Sequence, residues 1–142
     1  MTVNLLATVD LGSNSFRLLI GKINSDGTIV PLDQIKETVR LASGLDAKNN
    51  LTKESQLFAL EVLTRFSERL SNFKKSQVRV VGTSTLRVAN NSAEFITIAN
   101  KALGFPIEVI SGKEEARLIY IGAMHSLAYT TEKRLVIDIG GG

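Results

Sequence analysis

At 142 residues, 44% hydrophobic and 22% charged, the chain has the size and balance of one soluble domain with a real core. With no cysteine and one histidine, it excludes a disulfide framework, a thiolate nucleophile and a Cys- or His-rich metal cluster. A net charge of +3 with no basic stripe argues against a nucleic-acid partner. No apolar stretch reaches the roughly 18 residues of a membrane span, and the N-terminus shows no signal-peptide pattern, so a cytoplasmic protein with no membrane partner is expected.

In chain order, Leu5 to Asp10 predicts a strand and Phe16 to Ile23 a second. After the turn Asn24-Ser25-Asp26-Gly27, Thr28 to Thr38 predicts a third strand broken by Pro31; short turns make the three an antiparallel meander. A polar loop covers Gly44 to Asn50. Thr52 is placed to cap a helix to about Phe73, with Leu57, Leu60, Leu63, Phe66, Leu70 and Phe73 as its core stripe. Val78 to Gly82 predicts a strand. Ser92 is placed to cap a second helix, with Phe95, Ala99, Ala102 and Leu103 inward and Gly104 and Pro106 closing it. Ile107 to Ile110 predicts a strand, a third helix follows Ser111, and Leu135 to Ile139 predicts a last strand. The order βββαβαβαβ implies a single α/β domain over residues 1–142. Its sheet would be mixed, with five or six strands covered by helices, as in a ribonuclease H-like or actin-like lobe.

The chemistry concentrates at strand ends. Two apolar runs stop at an aspartate followed by glycine, in Asp10-Leu11-Gly12-Ser13-Asn14-Ser15 and in Asp138-Ile139-Gly140-Gly141-Gly142. Glycine lets a backbone approach a ligand, successive amides form an anion-holding nest, and a neighbouring carboxylate can hold a divalent cation. The pair of turns suggests a cation-assisted phosphate site. Neither is a P-loop or a dinucleotide fingerprint, and phosphate at Gly12 would rest on hairpin amides with no helix dipole behind them.

Gly82-Thr83-Ser84-Thr85-Leu86-Arg87 presents three hydroxyls and a guanidinium whose planar fork suits phosphate oxygens; the same segment would also serve as a capped loop with a solvated arginine. In Ser111-Gly112-Lys113-Glu114-Glu115, the spacing of Ser111 and Glu114 is that of a capping box. Glu115 falls on the stripe of Leu118, Ile119 and Gly122, where an inward carboxylate beside phosphate is a natural base for water. The alternative is a solvated Glu115 on an overhanging first turn. His125 reads as a helix-end surface residue. Arg17 sits on a strand beside the first turn and Arg40 follows the third strand; either could touch substrate, with a surface role as the default for both.

Together these segments, with Val39-Arg40-Leu41-Ala42-Ser43-Gly44-Leu45, resemble the exopolyphosphatase / guanosine pentaphosphate phosphatase family of the actin–sugar kinase–Hsp70 superfamily. The resemblance runs through essentially the whole chain. It implies Mg²⁺-dependent hydrolysis of terminal phosphoanhydride bonds in polyphosphate or guanosine pentaphosphate. Glu115 would be the base, Arg87 a phosphate ligand and Asp138 a residue at the metal or water. Asp10, Gly12, Ser13, Asn14 and Ser15 would line the same cleft, Thr83, Ser84, Gly140 and Gly141 would bind phosphate, and Asp10 and Asp138 would bind the metal. Family members continue past the final glycines into a second lobe, so the chain is expected to be a first lobe. It would be weakly active alone and homodimeric when full length. A sugar kinase or ATPase, or a non-catalytic phosphate- or nucleotide-binding module, are the competing expectations.

Overall fold

A computed structural model describes residues 4–128 and 131–141. One five-stranded mixed sheet carries the structure, with β1 (Asn4–Leu11) at its centre and order β3-β2-β1-β4-β5. β2 (Ser15–Ile23) and β3 (Ile29–Thr38) complete the antiparallel meander, while β4 (Val78–Gly82) and β5 (Ile107–Val109) add in parallel. Pro31 is accommodated because β3 is the edge strand and the register slips between Ile20 and Gly21.

Alternation decides which face is buried. Ala7, Val9 and Leu11 of β1, Phe16 and Leu18 of β2 and Val80 of β4 point into the core. That face is covered by α1 (Lys53–Arg69) and α3 (Ser92–Leu103), through Ala59, Val62, Leu63 and Phe66 and through Phe95, Ala99 and Leu103. The alternate residues, Thr8 and Asp10 among them, point the other way, and it is there that a ligand can reach the sheet.

The α1 stripe differs from the predicted one. Leu63, Phe66 and Leu70 are buried, but Leu57 is 63% exposed and Ala59 and Val62 take its place. The burial phase runs through residues 59, 62, 63, 66 and 70; residue 57 lies two positions, about 200°, from 59. Thr52 caps the helix as expected, accepting the Ser55 amide, but the helix ends at Arg69, short of Phe73.

Three further expectations are corrected. Ser92 is the first residue of α3 and not its cap; Asn91 precedes it and uses its side chain to clamp Leu51, donating to the carbonyl and accepting from the amide. Ser84–Val88, read as loop, forms a one-turn helix, α2. Leu135 to Ile139 joins no sheet: Leu135, Ile137 and Ile139 are 84%, 73% and 91% exposed, so the segment has neither ladder partners nor a packed face among the described residues. The observed order is therefore βββαβααβα, closed by α4 (Gly112–His125).

Candidate active site

Asp10 is the penultimate residue of β1, on the face opposite the core, and β4 runs parallel beside it, placing Asp10 against Val81 and Leu11 against Gly82. Parallel neighbours carry their C-terminal ends to the same edge, so the Gly12 turn and the Thr83–Arg87 segment meet there. Gly12 is required by proximity: a Cβ would come within 2.9 Å of the Ser15 carbonyl oxygen, which already accepts the Gly12 amide. The amides of Ser13 and Asn14 donate to no acceptor among the described residues. Ser13 and Thr83, by contrast, are buried with hydrogen-bonded hydroxyls. Thr85 Oγ1 donates to Ser13 Oγ at 2.7 Å, and Thr83 Oγ1 donates to the Leu11 carbonyl at 3.4 Å. Ser13 Oγ accepts in that pair and keeps its own proton, so Ser13 can offer a ligand that one O–H besides its backbone amide.

That hydroxyl pair has a testable cost. Thr85→Val leaves Ser13 Oγ buried without its donor and is expected to lose about 1–3 kcal/mol of stability. The double variant Ser13→Ala/Thr85→Val should recover most of it, since removing both partners is far milder than orphaning one. Denaturant unfolding of the single and double variants checks this.

Arg87 closes α2 and reaches across to α4. Its Nη1 donates to the Ile110 carbonyl at 2.9 Å and to Glu115 Oε2 at 2.8 Å, leaving Nε and Nη2 without partners among the described residues. The two side chains are 29% and 27% exposed. Glu115 thus has one oxygen held by a guanidinium and the other open. Glu114, the adjacent carboxylate, does different work. Ser111 Oγ caps its amide as predicted, but both carboxylate oxygens of Glu114 accept from Arg117 instead of closing a capping box. Leu118 and Ile119 share the Glu115 face and are only half-buried, and Gly122 is exposed, so the inward stripe of α4 borders a cleft instead of a core.

Electrostatics single out Asp10. Burial pushes its carboxyl above the ordinary value of 3.8; the Glu115 and Asp138 charges push it further and Arg17 pulls it back. Its Oδ1 is buried with no hydrogen-bond partner. The native state therefore holds this proton more tightly than the unfolded chain, and stability falls as pH rises from 3.8 through the raised value. Asp10→Asn is expected to raise Tm at neutral pH and to remove that part of the pH dependence. Thermal melts from acid to neutral pH, wild type beside variant, test it.

An orphaned carboxylate oxygen with two further carboxylates acting on it fits a divalent cation. Among the described residues, no group of three His, Cys, Asp or Glu side chains forms a cage for one. That donor set suits Mg²⁺, which commonly takes one or two carboxylates and completes its shell with waters and substrate phosphates.

Asp10, Gly12, Ser13, Asn14, Ser15, Thr83, Ser84, Arg87, Glu115, Asp138, Gly140 and Gly141 all line one open cleft of about 1160 Å³. Gly142 lies outside the described residues. The final segment reaches the first turn, since a Cβ on Gly141 would sit 2.9 Å from Asn14 Cβ. Arg40 and His125 do not line the cleft; Arg17 does. Lys36 also lines it and was not anticipated. Across the sheet, Asp10 pairs with Arg17 and Arg17 with Lys36, so two cations continue the row from the carboxylate on the open face. No local sequence signal marks it, because only the register across two ladders puts Lys36 in the row of Asp10.

A family model for the Ppx/GppA phosphatases matches residues 19–142. The chain belongs to the Ppx/GppA phosphatase family. An exopolyphosphatase from Cytophaga hutchinsonii is 32% identical over 87% of this chain and 39% of its own, with a TM-score of 0.79. The Aquifex aeolicus PPX-GPPA enzyme is 28% identical over 88% of this chain and 42% of its own, with a TM-score of 0.80. This Ppx/GppA chain thus spans about two fifths of the length of these solved relatives. Among its described residues, no helix is long and apolar enough to cross a membrane.

Proposed function

We propose that this chain supplies the phosphate-binding, base-bearing half of a Mg²⁺-dependent phosphohydrolase that removes the terminal phosphate of inorganic polyphosphate. The observation that carries the reading is the meeting, in one cleft, of the Arg87–Glu115 pair, the orphaned Asp10 oxygen and the unpaired amides of the Gly12 turn. Arg87 would bind the terminal phosphoryl group through its free Nε and Nη2, with the turn amides and Ser84 around the remaining oxygens. The open oxygen of Glu115 would take a proton from a water molecule. The water oxygen would then form a bond to the terminal phosphorus as the bond to the bridging oxygen breaks, the shortened chain leaving with that electron pair. Asp10 and Asp138 would hold Mg²⁺, which when bound neutralises charge developing on the phosphoryl oxygens.

Polyphosphate is favoured over other phosphoanhydrides by Arg17 and Lys36, which extend positive charge along the open sheet face away from the reacting end. The resemblance carried by the sequence motifs keeps guanosine pentaphosphate as the second substrate. Phosphate release by the full-length protein from long polyphosphate, guanosine pentaphosphate and ATP, each with and without Mg²⁺, tests the assignment. Preferential release from polyphosphate is expected. Preference for the pentaphosphate would replace the substrate, ADP formation coupled to phosphoryl transfer would make the protein a kinase, and binding without release would make it a module.

A further inference from the structure

The segment Val39-Arg40-Leu41-Ala42-Ser43-Gly44-Leu45 belongs to the sequence pattern of this chain, yet none of it lines the cleft. It touches the turn that does. The amides of Val39 and Arg40 both donate to the Asn14 carbonyl, at 2.9 and 2.8 Å, and the Ala42 amide donates to the Ser13 carbonyl at 3.0 Å. In a trans peptide group the C=O and N–H point in opposite directions, and no described peptide bond is cis. A Ser13 carbonyl turned toward this segment therefore turns the Asn14 amide away from it, and the Asn14 carbonyl does the same to the Ser15 amide. Asn14 and Ser15 both line the cleft, which Val39 to Leu45 do not.

The segment is itself anchored. Leu41 is fully buried, the Gly44 carbonyl accepts the Thr52 amide at 2.9 Å, and a Cβ on Gly44 would collide with the Ser55 side chain. Between these anchors and the turn, Arg40 adopts φ 54° and ψ 44°, a left-handed conformation uncommon for a residue with a side chain. Its guanidinium makes no hydrogen bond or ion pair among the described residues, so the contribution of this position to the turn is its backbone.

We propose that residues Val39 to Ala42 form a positioning strap: they aim the amides of Asn14 and Ser15 at a bound phosphate, and the left-handed bend at Arg40 sets that aim. The inference rests on the phosphate-site reading above and assigns it a part that never touches substrate. Its test is titration of the ¹⁵N-labelled chain with inorganic tripolyphosphate and Mg²⁺, following the Asn14 and Ser15 amides and the Kd. Arg40→Gly removes the charge but adopts the left-handed region freely, and should keep the Kd within about twofold and the amide shifts intact. Arg40→Val opposes that conformation and should weaken binding about tenfold while diminishing the Asn14 response. If Arg40→Val does not fold, Arg40→Ala takes its place, with the same direction of change. Equal losses in the Gly and Val variants would assign the effect to the guanidinium and overturn the proposal, as would unchanged binding in the Val or Ala variant. A wild-type chain whose amides ignore tripolyphosphate would overturn the phosphate site itself, and the strap with it.

Discussion

Glu115→Gln in the full-length protein is expected to fold normally and to lose about 10²–10⁴-fold in turnover, the range typical of removing a general base. The side-chain amide oxygen can still accept from Arg87 Nη1, so the bridge from α2 to α4 survives as a neutral hydrogen bond. What disappears is the ability of the open oxygen to carry a proton away from water. Glu114→Gln is the matched control, one residue away on the same turn. Its carboxyl is held below the ordinary range by the Arg117 side chain that grips it, and that exposed pair lies outside the cleft. Turnover there should change little. Equal losses in the two variants, measured as kcat on polyphosphate, would remove Glu115 from the role of base.

Arg87→Lys should raise KM about tenfold to hundredfold, because an ammonium keeps the charge but not the planar fork. Arg87 also has structural partners, and one ammonium on a shorter stem cannot hold both the Ile110 carbonyl and Glu115 as Nη1 now does. Losing one such bond costs about 1–3 kcal/mol, so a lower Tm should accompany the kinetic change. The two effects are separable: KM measured well below the variant's Tm carries no contribution from unfolding. A KM unchanged under those conditions would place Arg87 outside the substrate's reach.

The meander, the parallel additions and the bounds of β4 are all readable from short apolar runs and turn residues, because each is a local pattern. The burial phase of α1 was harder. Leucine spacing alone recruits Leu57, whereas the buried stripe is decided by small Ala59 and Val62 fitting against the sheet. The one-turn helix Ser84–Val88 carries too few residues for a period and is held by tertiary contacts, among them the hydroxyl pair joining Thr85 to Ser13 across 72 positions of sequence. Leu135 to Ile139 has the composition of a buried strand, and β-propensity describes a residue's fit to a neighbour that this segment lacks among the described residues. At the site, residue types were legible and their commitments were not. Nothing in Gly82-Thr83-Ser84-Thr85 separates the hydroxyls bonded inside the protein from Ser84, which borders the cleft. Lys36 becomes visible only through pairing register, two strands away from Asp10.

Among the described residues α4 has no fully buried side chain, whereas β1 and β4 lie at the centre of the sheet with core residues on one face. Amide protons report that inequality as a difference in opening free energy: those of α4 should exchange with solvent through a low-cost local unfolding, while those of β1 require the global event. The proposed base therefore rides on a helix expected to open readily, and the proposed phosphate turn follows a strand expected to be protected. The Arg87 bridge is the link between these two regimes. Cutting it should accelerate exchange along the first turns of α4 and leave β1 untouched.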